Sequence, residues 1–211
     1  MIRVETLVVG GLETNCYVCW DPDSGRGFVV DPGSDPERIS ETVRKIGIRV
    51  EAILLTHGHF DHVLAVPELK AAYGAVVYAS AAEAEVLRDP KLNLSPAYAG
   101  TVTIEPDVTL SDGEMVSIAG YRVRMISTPG HTKGSASYYL PDEAIVFSGD
   151  TLFTETFGNT KLPTGSFADI VDSVRNKLLE LPEETRVLPG HDVETTVAHE
   201  RRYNPLKGYS F

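Results

Sequence analysis

The sequence contains little cysteine: Cys16 and Cys19 are the two in its 211 residues. Both fall in a strand-like segment, 15–20, where their odd spacing points the two side chains to opposite faces of a strand. The chain has no second cysteine pair that would complete a tetrahedral zinc site. We therefore interpret the two thiols as small buried hydrophobes, with a redox pair or a zinc half-site as the less favoured alternative.

Long apolar runs and basic residues are also scarce. No run approaches the ~20 apolar residues of a membrane helix, and residues 1–6 lack the basic and apolar regions of a signal peptide. We therefore expect a cytoplasmic protein that does not bind membranes. The 19 basic residues are outnumbered by 30 acidic ones, which gives a formal net charge of −11. Because such a surface repels a phosphate backbone, we expect no nucleic-acid partner.

The order of the predicted elements is that of an α/β protein. Strands are predicted at 2–9, 15–20, 27–31, 52–55, 76–78, 108–110, 114–118, 121–127, 137–140, 144–147 and 187–188, and helices at 36–46, 63–73, 81–87, 167–181 and 194–203. Each half runs from strands to helices, which favours two packed sheets covered by helices on both outer sides. With 42% hydrophobic residues and no linker-like segment, the chain suits a single domain over residues 1–211.

One long segment, 89–106, shows no clear periodicity and carries three prolines. A loop of this length within a compact domain usually serves as a lid or a binding loop. It also contains apolar residues that a purely solvated loop does not need, such as Leu92, Leu94 and Tyr98. We therefore expect it to lie near the functional site, or else to mediate association of chains into a homodimer.

Histidine is concentrated in loops that follow predicted strands. Five of the six histidines, together with two aspartates, lie in four such loops. These residues are His57, His59, Asp61 and His62 after the strand at 52–55, His131 after 121–127, Asp150 after 144–147, and His191 after 187–188. Imidazoles and carboxylates that converge from rigid strand ends are what a site for first-row divalent metal ions needs.

These seven side chains exceed the four ligands that one tetrahedral ion uses. The surplus indicates two ions that share one carboxylate, although the spacing leaves open which residue binds which ion. Thr56 and Ser148 lie beside the ligands and are expected to orient them through hydrogen bonds. The sixth histidine, His199, lies in the last predicted helix, and we interpret it as solvated.

Longer sequence phrases carry a resemblance to a known family. The segment 56–62, Thr-His-Gly-His-Phe-Asp-His, followed by His131, Asp150 and His191, resembles the metallo-β-lactamase superfamily. Four further phrases are similar to the glyoxalase II-like, hydroxyacylglutathione hydrolase branch of that superfamily. They are GLETNCY at 11–17, VDPG at 30–33, TPGHT at 128–132 and SGDTLF at 148–153. The resemblance covers essentially the whole chain.

The resemblance implies an αββα sandwich, two mixed sheets flanked by helices, with the site along one edge. It assigns His57, His59 and His131 to one metal ion, Asp61, His62 and His191 to the other, and Asp150 to both. It also implies that Asp31 holds the ligand side chains in position without binding a metal ion itself. Zinc is the usual metal of the family, and iron or manganese is common in this branch.

The chain departs from glyoxalase II in two places. Glyoxalase II carries a C-terminal helical domain that helps hold glutathione, whereas only a short segment follows His191, so we expect no such domain here. The loop after the bridging aspartate commonly reads Gly-Arg-Thr-Asp in this branch and reads Gly-Asn-Thr-Lys at 158–161. Lys133 and Lys161 are candidate anchors for substrate carboxylates, with a solvated surface position as the alternative for each.

The function that these observations predict is hydrolysis of a small-molecule thioester such as S-lactoylglutathione. In this hypothesis a hydroxide shared by the two ions attacks the carbonyl, and Asp61 holds its proton. The alternatives are a persulfide dioxygenase with a single iron near His57, His59 and Asp150, and a lactonase, β-lactamase or other ester hydrolase on the same fold. A nuclease is disfavoured by the acidic charge.

Overall fold

The computed structural model of the protein describes residues 1–209. The first half of the chain forms β1 (Arg3–Val9), β2 (Thr14–Trp20), β3 (Arg26–Val30), α1 (Pro36–Ile46), β4 (Arg49–Leu54), α2 (Phe60–Val63), α3 (Val66–Tyr73), β5 (Val76–Ser80), α4 (Ala84–Arg88), α5 (Pro90–Asn93) and β6 (Val108–Leu110). Single 3₁₀ turns lie at Ala81–Glu83 and Ser95–Ala97.

The second half forms β7 (Met115–Ile118), β8 (Tyr121–Ser127), β9 (Ala136–Leu140), β10 (Ile145–Gly149), β11 (Leu152–Phe153), β12 (Thr156–Phe157), α6 (Phe167–Ser173), β13 (Arg186–Pro189), β14 (Thr195–Thr196) and α7 (Val197–Tyr203). A π-helical segment, Val174–Leu178, continues α6. Across residues 1–209, no helix has the length and apolar character needed to cross a bilayer.

The strands form two six-stranded mixed sheets and a small hairpin. The first sheet has the order β1-β2-β3-β4-β5-β6, with antiparallel pairs up to β3 and parallel pairs from β3 to β6. The second has the order β14-β13-β10-β9-β8-β7, in which β10 and β13 are parallel and the other neighbours are antiparallel. Strands β11 and β12 pair separately.

Alternation along the central strands divides the core into three layers. In β3, Phe28 and Val30 pack between the two sheets, while Val29 faces the helices that cover the first sheet. In β10, Phe147 packs between the sheets and Val146 faces α6. Because successive strand residues point to opposite faces, strands that are apolar on both faces need a helical layer on each outer side. The αββα architecture expected from the sequence is confirmed.

The two sheets are joined where the ligand-bearing loops begin. The Ala136 amide donates to the Thr56 carbonyl at 2.8 Å, and the Tyr138 hydroxyl donates to the Leu55 carbonyl at 3.0 Å. On the other side, the Asn15 side-chain amide and the Tyr17 hydroxyl donate to the Pro189 carbonyl at 3.0 and 2.6 Å. These bonds fix loops of one sheet against strands of the other at the same edge of the sandwich.

Several predicted helix boundaries are wrong. The helix expected at 63–73 is two helices, α2 and α3, with a break after Val63. The last helix begins at Val197 rather than 194, because Thr195 and Thr196 pair with β13. The segment 89–106 contains α5 and a 3₁₀ turn. The start of the last helix is set by pairing with a distant strand, whereas α5 follows a local signal, because the Asp89 side chain caps it and Pro90 lies in its first turn.

Gly33 is predicted to be essential for the position of Asp61. A Cβ atom on Gly33 would lie 1.6 Å from the Asp61 carbonyl oxygen. Gly33→Ala should therefore force the backbone apart and lower the unfolding free energy by roughly 1–3 kcal/mol or more. Thermal unfolding would show this as a lower midpoint.

Gly11→Ala is the matched control, because a Cβ atom there meets nothing within 4 Å. Equal unfolding midpoints for the two variants would contradict this account of the packing at Gly33.

Candidate metal centre

The seven histidines and aspartates of the strand-end loops come together at one edge of the sandwich. The strands that precede these loops are β4, β8, β10 and β13, and the polar side chains converge where these strands end. Buried members are His57, His59, His62, His131 and Asp150, while Asp61 and His191 are partly buried. The structure thus brings together the residues that the sequence analysis selected as ligands.

Three groups of side chains are close enough to hold an ion, and the third, Asp31, His57 and His62, shares one histidine with each of the other two. In the first, one ligand atom from each of His57, His59 and His131 lies within 4.8 Å of the others. In the second, the same holds for Asp61, His62 and His191.

The rings within each group face a common centre. The His59 Nδ1 and His131 Nε2 atoms of the first group are 2.8 Å apart. In the second group, Asp61 Oδ2 lies 3.5 Å from His62 Nε2 and 3.4 Å from His191 Nε2. This grouping coincides with the division between ions that the family resemblance implies.

Asp150 lies between the two groups. Its Oδ1 atom is 3.4 Å from His62 Nε2, and its Oδ2 atom is 3.5 Å from His131 Nε2 and 3.6 Å from His191 Nε2. One carboxylate thereby faces imidazoles of both groups. Gly190 permits this approach, because a Cβ atom on it would lie 2.1 Å from Asp150 Oδ1.

Several buried polar atoms of the centre have no hydrogen-bond partner within the described part of the chain. They are His57 Nε2, His59 Nε2, His62 Nε2 and Asp150 Oδ1. Leaving such atoms buried and unpaired is costly, so clusters of them call for a ligand. Neutral imidazole nitrogens together with carboxylate oxygens are donors for divalent first-row ions. The residues therefore fit divalent metal ions.

Asp31 and Thr56 form a hydrogen-bonded support behind the histidines. Asp31 Oδ2 accepts from the Thr56 hydroxyl at 2.5 Å and lies 3.0 Å from His62 Nδ1. Thr56 Oγ1 is also 3.2 Å from His57 Nδ1. With its Nδ1 held by Asp31, His62 keeps its Nε2 directed at the centre. Within residues 1–209 the Ser148 hydroxyl bonds to none of the ligands and instead donates to the Leu152 carbonyl at 2.8 Å, so the prediction for Ser148 is wrong.

His131 is oriented by a main-chain group that sequence reasoning missed. Its Nδ1 atom lies 2.8 Å from the Asn159 carbonyl oxygen, which leaves Nε2 free to face the centre. The Asn159 side chain instead accepts from the Lys161 amide at 2.9 Å. Because any residue supplies a carbonyl, no residue type at 159 could have signalled this contact.

Asp61 also has a support that sequence reasoning missed. The Thr14 hydroxyl, at the start of β2, donates to Asp61 Oδ2 at 3.1 Å. Thr14 belongs to the phrase at 11–17 that carried the family resemblance, which was the available signal. The contact ties the first hairpin of the chain to the centre.

Glu83 is a buried acid that links the two loops of the first group. Its Oε1 atom accepts from the Gly58 amide at 2.8 Å, and its Oε2 atom accepts from the Thr132 hydroxyl at 2.9 Å. Gly58 lies between two of the histidines, and Thr132 follows a third. Burial raises the pKa of Glu83 to about 7. In the sequence Glu83 is indistinguishable from the exposed Glu85, so this role was not predicted.

The environment keeps the histidines of the first group neutral. Burial lowers the pKa of His57, His59 and His131, that of His59 to about 3. A neutral imidazole has a free lone pair, which is the form that binds a metal ion.

The second group has the opposite electrostatic character. Burial alone would lower the pKa of His62, but the carboxylates of Asp61 and Asp150 outweigh it and raise this pKa to about 10. The same two carboxylates outweigh burial at His191 and raise its pKa. In return, His62 and His191 hold the pKa of Asp61 below its usual range despite burial.

The remaining candidates lie outside the two groups. The Lys133 ammonium forms an ion pair with Glu85, and Lys161 is exposed on the loop that contacts His131. His199 Nε2 lies 2.9 Å from Glu155 Oε1 and its ring packs 4.7 Å from that of Tyr203. His199 therefore takes no part in the centre. It was interpreted as solvated, and the structure pairs it with Glu155 in addition.

A buried cluster of histidines and carboxylates at the edge of an αββα sandwich defines a metal-dependent hydrolase. The chain belongs to the metallo-beta-lactamase superfamily, whose family model matches residues 9–191. This range includes all seven candidate ligands.

The similarity to two curated relatives extends over nearly the whole chain. The protein is 38% identical to the probable metallo-hydrolase YqgX of Bacillus subtilis, with 96% of each chain covered. It is 30% identical to the hydroxyacylglutathione hydrolase GloC of Haemophilus influenzae, with 97% of this chain and 98% of the relative covered.

Solved structures show the same fold. The BLEG-1 B3 metallo-beta-lactamase superposes with a TM-score of 0.92 at 36% identity, covering 98% of this chain and 100% of the other. TTHA1623 in a di-iron-bound form gives a TM-score of 0.85 at 34% identity, covering 96% and 99%. ETHE1 from Myxococcus xanthus gives 0.80 at 28% identity, covering 99% and 86%.

Metal binding by the two groups should depend differently on pH. His62 carries a proton at neutral pH because its pKa is raised, and it must lose that proton to bind an ion. The affinity of the second group should therefore rise at least tenfold per pH unit between about pH 6 and about pH 8, since His191, whose pKa is also raised, adds to the protons released. The affinity of the first group should stay nearly constant.

Calorimetric titration with Zn²⁺ in buffers of different ionisation enthalpy measures both the affinities and the protons released. Two binding events with the same pH dependence would count against the assigned electrostatics.

Glu83→Gln should weaken metal binding without altering any ligand. Gln keeps one acceptor oxygen and replaces the other by an amide nitrogen, which cannot accept a hydrogen bond, so Gln can accept from only one of Gly58 and Thr132 and the link between the ligand loops is weakened. We expect Zn²⁺ affinity to fall roughly 10- to 100-fold, measured by competition with a chromophoric chelator.

Glu85→Gln provides the control, since Glu85 is exposed and bonds only at the surface with Lys133. Equal losses of Zn²⁺ affinity in both variants would show that the hydrogen bonds of Glu83 to the two ligand loops have no specific part in metal binding.

Proposed function

We propose that the protein hydrolyses thioesters, S-lactoylglutathione or a related acyl thioester, with two divalent metal ions, of which zinc is the first candidate. The observation that carries this proposal is the position of Asp150, whose two oxygens face histidines of both groups. A carboxylate so placed suits a dinuclear centre. The similarity to a relative named hydroxyacylglutathione hydrolase supports the choice of substrate.

In this proposal His57, His59 and His131 hold one ion, Asp61, His62 and His191 hold the other, and Asp150 serves both. When bound, the ions supply Lewis acidity for the thioester carbonyl and lower the pKa of water. The unpaired Nε2 atoms of His57 and His62 support the assignment.

Side chains of the protein position the groups that react in this proposal. Asp61 is ionised at neutral pH, because His62 and His191 lower its pKa despite burial, and its carboxylate can therefore accept a hydrogen bond from water at the centre. The Thr14 hydroxyl holds one of its oxygens in place. The leaving thiolate, whose conjugate acid has a pKa near ~8.5, departs without a strong general acid. Asp61 is accordingly our candidate for the residue that holds the proton of the attacking hydroxide through a hydrogen bond.

Lys161 is better placed than Lys133 to bind a substrate carboxylate. Lys161 is exposed, and its amide bonds to Asn159, whose carbonyl contacts His131. Lys133 is already paired with Glu85 and would have to exchange that partner. A substrate carboxylate at Lys161 would lie on the rim of the first group.

Hydrolysis of a β-lactam ring is the second candidate. It is favoured by the similarity in fold and sequence to the BLEG-1 B3 metallo-beta-lactamase. Because one metal centre of this kind can serve several carbonyl substrates, the fold does not decide between them.

Turnover of parallel substrates, together with metal content, tests the proposal. Zn²⁺-reconstituted protein should contain about two ions per chain and hydrolyse S-lactoylglutathione faster than a lactone or a β-lactam. Asp150→Ala should lose activity by several orders of magnitude, because it removes a ligand of both ions. His199→Ala, which alters a histidine outside the centre, should retain the wild-type rate.

Other outcomes would assign a different function. Saturation at one iron per chain, with oxygen-dependent consumption of glutathione persulfide, would replace the hydrolase with a dioxygenase. Faster β-lactam than thioester turnover would favour the second candidate.

A further inference from the structure

A cavity of about 340 Å³ opens beside the second metal group. Its walls come from the β1–β2 turn, the first residues of α2 and the segment around residue 98. They include Val9, Leu12, Phe60, Asp61, Leu64 and Tyr98. Because Asp61 belongs both to the wall and to the metal group, a molecule in the cavity would be next to the reacting atoms. The volume lies in the range of small-ligand sites.

The lining is apolar and carries no cationic side chain among the described residues. The one formally charged residue in the lining is Asp61, and in the proposed function its charge is balanced by the ion that it holds. The carboxylates of a glutathione moiety would therefore find no cationic side chain in this cavity. The part of a substrate that fits this cavity is therefore uncharged and apolar.

Two aromatic rings form one wall. The rings of Phe60 and Tyr98 stack with centroids 4.4 Å apart and an interplanar angle of 6°. Tyr98 is nevertheless 67% exposed, and Leu12 at the cavity wall is 49% exposed. An apolar group lying against these side chains would remove their surface from water, which is a favourable contribution to binding. The expectation that segment 89–106 lies near the site is thereby confirmed.

We propose that this cavity binds the acyl chain of the substrate and makes the enzyme selective for thioesters with an apolar acyl group, aliphatic or aromatic. This inference rests on the proposed thioester hydrolysis and narrows its substrate class. A lactoyl group is short and carries a hydroxyl, so it would leave most of the cavity unfilled. Burial of each further methylene of an aliphatic chain should raise kcat/KM roughly three- to fourfold until the cavity is full.

Gly11 provides a way to fill the cavity without strain. It lines the cavity, and a Cβ atom on it meets nothing within 4 Å. Gly11→Leu should therefore remove space from the cavity while leaving the metal ligands in place. Gly208→Leu is the matched control, because a Cβ atom there is equally unobstructed and Gly208 lies outside the cavity.

The experiment measures kcat/KM on acetyl, butyryl, hexanoyl, benzoyl and lactoyl esters of one thiol, N-acetylcysteamine. The wild type and Gly208→Leu should prefer hexanoyl or benzoyl to lactoyl by at least tenfold. Gly11→Leu should lose this preference, because its hexanoyl and benzoyl rates should fall by a larger factor than its acetyl rate. Tyr98→Ala should reduce the benzoyl rate more than the acetyl rate.

The outcomes separate the two proposals. Thioester turnover that is independent of acyl length, or highest for lactoyl, would overturn the acyl site and leave the proposed function standing. No turnover of any thioester would overturn the proposed function. In that case calorimetric titration with uncharged hexanamide would test separately whether the cavity binds apolar groups. Binding that Gly11→Leu abolishes would support it as an apolar site, and no binding to the wild type would overturn it.

Discussion

The constraint on which the rest of the structure depends is the free-energy cost of burying polar atoms that have no hydrogen-bond partner in the protein. His57, His59 and His62 each present a ring nitrogen that lacks a hydrogen bond within the described part of the chain, and so does one oxygen of Asp150. Such atoms are tolerated in a folded protein when a ligand completes them. The sandwich meets this constraint at one edge, where strand ends from both sheets converge, and the metal centre is its consequence.

A second set of hydrogen bonds holds the ligand side chains and their loops in place. Asp31 fixes His62, the Asn159 carbonyl fixes His131, and Glu83 ties the loops of the first group together. Each of these bonds joins segments far apart in sequence. A fixed ring orientation directs the metal-facing nitrogen before any ion arrives, so less ordering is needed on binding.

Charge and polarity are distributed unevenly around the centre. The first group consists of neutral imidazoles, while the second contains Asp61 together with two histidines whose pKa values are raised. Beside the second group, Phe60 and Tyr98 form an apolar wall. An arrangement that combines charge at the reacting atoms with an uncharged cavity next to them suits a substrate with a polar carbonyl and an apolar substituent.

The sequence by itself determined the types and loop positions of the candidate ligands, because strands buried on both faces show as apolar runs and ligand residues follow where those runs stop. The layered architecture followed from the order of predicted strands and helices together with the family resemblance. Only the tertiary structure decided that Glu83 is buried while Glu85 is exposed, that Tyr98 stacks on Phe60, and that a carbonyl at 159 orients His131. The physical reason is that local patterns encode which face of an element is apolar, whereas the partners of a polar side chain or a main-chain group are set by contacts between distant segments.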